Sequence, residues 1–193
     1  MGVSLAKGQR VSLEKAGGGG LSKVTMGLGW DVAQPKGFFK KLAGPKTIDL
    51  DASCLLFDGG KTLVDQVWFQ QLDSKDGSVH HTGDNVTGEG EGDDESIEVD
   101  LTKVPAGVQS LVFVVNSFTG QDFSQIENAF CRLVDRTSGQ EIARYELSSQ
   151  GSHTAQVMTR VFRDGGGWAM EAIGHNASGR TFHELVPVVL PHL

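Results

Sequence analysis

The chain has 193 residues, 38% hydrophobic and 21% charged, which is enough apolar side chain for one core and too little length to favour two, so one domain over 1–193 is expected. No apolar run approaches the ~20 residues that span a bilayer, no continuous apolar stretch of the secretory kind is visible, and a formal charge of −7 argues against a nucleic-acid binder. Glycine departs from ordinary composition, with 26 residues against 5 prolines; lacking a triplet period, it implies many turns, or backbone brought close to a ligand.

In chain order, a first strand is expected to end near Trp30, between two glycine-rich loops at 16–20 (AGGGG) and 34–46 (QPKGFFKKLAGPK). The second loop is basic and carries Phe38 and Phe39, which either fold back on the body or dock an acidic partner. Residues 46–58 (KTIDLDASCLLFD) alternate, with Ile48, Leu50, Ala52, Cys54 and Leu56 apolar and Thr47, Asp49, Asp51 and Ser53 polar. Period two predicts a strand with one face in the core and places Asp49 and Asp51 on the other, about 7 Å apart. Residues 64–72 (VDQVWFQQL) form a second strand, and the unbroken apolar run 111–115 (LVFVV) a central buried one. One or two helical turns are expected within 117–128, around Phe123, Ile126 and Glu127. Residues 130–134 and 141–147 flank Arg136–Gln140 as a hairpin, and 155–162 and 168–173 flank Arg163–Gly167 as another. Strands separated by turns at this spacing describe an all-β sandwich. Cys54 and Cys131 sit in apolar runs and are expected to be buried free thiols, which places the chain in the cytoplasm.

Charge is concentrated in 84–100, which holds eight carboxylates and no Lys or Arg, so the rest of the chain is close to neutral. Its core, Asp84-Asn85-Val86-Thr87-Gly88-Glu89-Gly90-Glu91-Gly92-Asp93-Asp94-Glu95, mixes carboxylates, a side-chain carbonyl and glycines. Calcium takes six to eight oxygens of those kinds at about 2.3–2.6 Å. Asp84, Glu91, Asp93, Asp94 and Glu95 supply carboxylates and Asn85 an amide oxygen, while Gly88, Gly90 and Gly92 let backbone carbonyls turn inward. The other reading is a solvated acidic loop between strands. Familiar motifs fail. Gly59-Gly60-Lys61-Thr62 has Leu55 where a phosphate loop needs glycine, His80-His81 would point to opposite faces of a strand, and the EF-hand spacing is absent.

Five segments carry a more specific pattern: MGVSLAKGQRVSL at 1–13, LSKVTMGLGWD at 21–31, IDLDASCLLFD at 48–58, DGSVHHTGDNVTGEGEGDDESIEVDL at 76–101 and FSQIENAFCRLVD at 123–135. In order and spacing the chain resembles the TerD family of tellurium-resistance and stress-response proteins; residues 174–193 resemble it least. The resemblance implies an open β-sandwich with a few short helices that binds two calcium ions. It also implies a role as calcium sensor or scaffold, with protein partners in a membrane-associated stress complex. The acidic positions that match are Asp31, Asp49, Asp51, Asp84, Asn85, Glu91, Asp93, Asp94 and Glu95; many relatives have Asp where Glu91 stands. A non-enzymatic module is therefore expected. The alternatives are a magnesium-dependent phosphate-handling enzyme, which lacks an evident cationic clamp, and a direct tellurite binder, for which Cys54 and Cys131 are poorly suited.

Overall fold

The computed structural model describes residues 2–14, 20–32, 49–83, 93–147 and 151–193. Twelve strands follow in chain order: β1 (Val3–Ser4), β2 (Arg10–Ser12), β3 (Lys23–Val32), β4 (Leu50–Asp58), β5 (Leu63–Val67), β6 (Val79–His81), β7 (Glu95–Asp100), β8 (Val108–Ser117), β9 (Ile126–Asp135), β10 (Gln140–Glu146), β11 (Ala155–Asp164) and β12 (Gly167–Ala177). One helix, α1 (Phe182–Val189), lies near the C-terminal end. The strands make two six-stranded sheets, β1-β10-β9-β3-β7-β6 and β2-β12-β11-β8-β4-β5. Every pairing is antiparallel except β1 with β10.

The two sheets face each other across one core that includes Met26, Leu28, Trp30, Cys54, Leu56, Phe113, Leu133 and Met170. Burial of such side chains, at ~25 cal/mol per Å² of apolar surface, holds the layers together. The expected buried strand is β8, between β4 and β11, with Leu111 to Val115 fully enclosed. Both expected hairpins form. In β11–β12, Gly165 and Gly166 take φ of 55° and 91°, the positive values that a two-residue turn of this hand requires. The Gly59–Thr62 stretch is the β4–β5 turn: Asp58 accepts the N–H groups of Gly60 and Thr62 at 2.9 and 2.8 Å.

Three expectations are corrected. Strand β4 has both faces buried, because Leu55 and Phe57 pack with Val112 and Val114 under Phe182, Leu185 and Val189 of α1. That helix was not expected; its buried residues lie on one stripe despite Pro187 within it. The helical stretch at 117–128 shrinks to a 3-10 turn, Phe123–Gln125, capped by Asp122, since Ser117 still belongs to β8 and Ile126 already begins β9. The strand at 64–72 stops at Val67, where Trp68 and Gln71 exchange main-chain hydrogen bonds across a tight turn. Cys54 and Cys131 are buried free thiols, as expected. The loop at 34–46, with Phe38 and Phe39, lies outside the described residues. Among the described residues no helix is long and apolar enough to cross a membrane.

Candidate metal centre

Asp31, Asp93, Asp94 and Glu95 lie where β3 ends and β7 begins. The main chain of β7 stays in register with β3 up to Glu95, opposite Leu28. One residue before it, the Asp94 N–H donates to the Leu28 carbonyl at 2.8 Å. Asp94 then continues the ladder with its side chain, Oδ2 accepting the Trp30 N–H at 2.9 Å. A register shift between β3 and β9 after Gly29 sets Asp31 opposite Glu127, and the Asn128 amide donates to Asp31 Oδ2 at 2.8 Å. Asn128 has φ of 53°, a conformation that Asn tolerates better than most residues.

Asp93 lies over Gly27, where a Cβ would overlap its carboxylate. Arg132, paired with Gly27 across β9, grips both Asp93 oxygens at 2.8 and 3.1 Å. The Asp93 carboxylate in turn raises the Arg132 guanidinium above its usual range. Asp94 is held above the ordinary carboxylate value, first by burial and then by the charges of Asp31 and Asp93, against the opposing pull of the Trp30 N–H. Three carboxylates therefore repel one another here, with one guanidinium on Asp93.

Glu95 faces the other way. Its side chain crosses between the sheets, and Oε2 accepts the Ala52 N–H of β4 at 2.7 Å, beyond the point where β5 has ended. His81 Nε2 lies 3.5 Å from the same oxygen, both side chains 1% exposed. His81 Nδ1 accepts the Gly83 N–H at 3.1 Å, which leaves the ring proton on Nε2, towards Glu95.

Asp51 is 4% exposed and lies on the β4 face shared with Leu55 and Phe57. The Asn116 amide donates to its Oδ2 at 3.3 Å and to the Arg180 carbonyl at 2.7 Å. A solvent-facing strand surface is thus not its environment. Asp49 lies half-buried just ahead of β4. Asp84, Asn85, Gly88, Gly90 and Glu91 lie outside the described residues; the chain is described again from Asp93. Among the described residues no three His, Cys, Asp or Glu converge on one metal position. Of those described, Asp31, Asp93 and Asp94 come together on the first sheet, Glu95 reaches between the sheets to the Ala52 N–H, and Asp51 lies on the outer face of β4. Sequence reasoning set His81 aside with the His80-His81 pair and missed Gly27, Asn116, Asn128 and Arg132. Only Gly27, within the Gly-Leu-Gly of 27–29, left a local signal.

A two-sheet β-sandwich of this kind has solved structural neighbours. The TerD domain model matches residues 1–187, and the chain belongs to the TerD family. It is 50% identical over 184 residues to the tellurium resistance protein TerZ of Serratia marcescens, covering 95% of this chain and 94% of that one. To the stress response protein SCP2 of Bacillus subtilis it is 42% identical over 196 residues, covering 96% and 98%. The solved structure of a TerD homologue from Streptomyces coelicolor superposes with a TM-score of 0.66 at 19% identity, over 82% of this chain and 92% of that one, which supports the fold.

Proposed function

We propose that this chain is a calcium-binding, non-enzymatic module of tellurite and stress resistance, a sensor or scaffold whose acidic end takes up the ion. The resistance and stress roles rest on the names of the relatives at 42–50% identity. The observation that carries the calcium reading is Asp94, a carboxyl desolvated and pressed by Asp31 and Asp93 beside a segment of further carboxylates. A divalent cation is the natural relief for such a cluster, and an oxygen-rich donor set fits calcium better than zinc. Asp31 and Asp94 are the described residues best placed to hold it, with Asp84, Asn85 and Glu91 as further donors. The guanidinium nearby is already engaged, Arg132 with Asp93, which favours binding over catalysis.

Calorimetric titration of chelator-treated protein with Ca²⁺ and with Mg²⁺ tests the reading, together with melting curves in both states. Saturable calcium binding with a higher melting temperature is expected, since a ligand at a hundredfold excess over its dissociation constant stabilises the fold by about 2.7 kcal/mol. Identical melting in chelator and in millimolar calcium refutes it.

A further inference from the structure

Away from the acidic end, the outer face of the second sheet carries a cluster of opposite sign. Val11, Met170 and Val161 pack on the core side. Alternation sends Arg10, Glu171 and Arg160 outward, opposite one another on β2, β12 and β11. Glu171 Oε2 takes Arg160 Nη2 at 2.7 Å and Nε at 2.8 Å, with Arg10 Nε at 3.4 Å. Both guanidinium carbons lie over the Phe162 ring, at 4.3 and 5.4 Å. One carboxylate is thus shared by two guanidiniums, with N–H groups to spare.

Lys7, on the turn before β2, and His192, on the 3-10 turn after α1, complete a cleft of about 380 Å³ in which Glu171 is the one acidic side chain. The His192 ring lies 4.9 Å from that of His175, and its Nε2 has no hydrogen-bond partner among the described residues. His192 is held below the usual imidazole value, by burial first and then by His175, Lys7 and Arg160, against Glu171. The same charges disfavour a metal on the two imidazoles.

We propose that this cleft binds a small inorganic oxyanion, with Lys7, Arg10 and Arg160 as its charge-bearing donors. Planar guanidiniums offer paired N–H groups to such oxygens. The inference does not depend on the calcium reading.

The test is an NMR titration of the whole chain in EDTA at fixed ionic strength, with sodium phosphate and with sodium tellurite as separate probes. Saturating shifts centred on Gly8, Ala172 and His192 are expected. Lys7→Gln should weaken binding by about threefold or more, while Lys103→Gln, exposed on a different turn, should leave it unchanged. Arg160→Gln should weaken binding further, but it also releases Glu171, so the exposed Lys7 variant is the deciding one. Similar saturation by both anions means a general oxyanion site; saturation by tellurite at much lower concentration means a site for that ion. Shifts that never saturate, that centre elsewhere, or that respond equally to Lys7→Gln and Lys103→Gln overturn the proposal.

Discussion

Gly27→Ala offers a test in which the sign of the effect is informative. Gly27 lies in the interior of β3, where glycine costs roughly 0.5–1 kcal/mol relative to alanine because of the freedom it loses on folding. Backbone entropy alone therefore predicts that the alanine variant is more stable. The structure predicts the opposite, because the new Cβ would overlap the Asp93 carboxylate. Asp93 would have to leave its two-oxygen grip on Arg132, in which the side chains are 14% and 29% exposed. Half-buried and bidentate, that pair is worth about 1–2 kcal/mol, above the usual surface value. The net effect is a loss of roughly 1 kcal/mol in chelator, read by urea unfolding, or about 2–4 °C in melting temperature at this chain length. With Asp93→Ala already in place the overlap is gone, and Gly27→Ala should turn neutral or stabilising by about 0.5–1 kcal/mol. The same loss in both backgrounds would refute the account of why glycine stands there.

Calcium affinity should fall about tenfold or more with Asp94→Asn but less than about twofold with Glu98→Gln, by calorimetry, since Glu98 is turned to Arg136 at 2.7 Å. Cys54 and Cys131 should resist thiol reagents until denaturant is added, because burial raises both thiols, Cys131 up to about 12. Burial pushes the Asp65 carboxyl up, but the Lys75 N–H, the Gln71 amide and the Gln66 N–H outweigh it and hold the group below its ordinary value. Its contribution is thus present above the unfolded carboxylate value and lost as pH falls through the folded one. Urea melts should find Asp65→Asn about 1–3 kcal/mol less stable at pH 7, with the gap closing under acid. Gly174→Ala should cost about 2 kcal/mol, because φ is 57° and the new Cβ would strike the Tyr145 hydroxyl; Tyr145→Phe should recover part of this in the same melts.

Sequence pattern carried far where a local rule decides the structure. The Gly165-Gly166 turn and the unbroken Leu111–Val115 run could be read directly, because a tight turn demands positive φ and a central strand demands apolar residues on both faces. Period two in β4 was also real, but it could not show that α1 would cover the second face: that helix has eight residues and a proline within it. Asp31, Asp93 and Asp94 stand out as acids, whereas Arg132, Asn128 and His81 do not. Each becomes part of the site only through the register of β9 on β3 or of β6 on β7, which no single sequence states.

Strands β1 and β2 close edges of different sheets, and both pair with the far end of the chain: Val3 opposite Ala143, and Val11 opposite Met170. During synthesis those short segments leave the ribosome well before β10 and β12 exist. At about 5–20 residues per second, the wait is on the order of 10 s. Throughout that interval the nascent chain has neither β1 nor β2 docked, so the apolar Leu5 and Leu13 that flank them are accessible to a chaperone or to another chain. Yield on expression should therefore respond more to what is fused ahead of Val3 than to what is fused after α1.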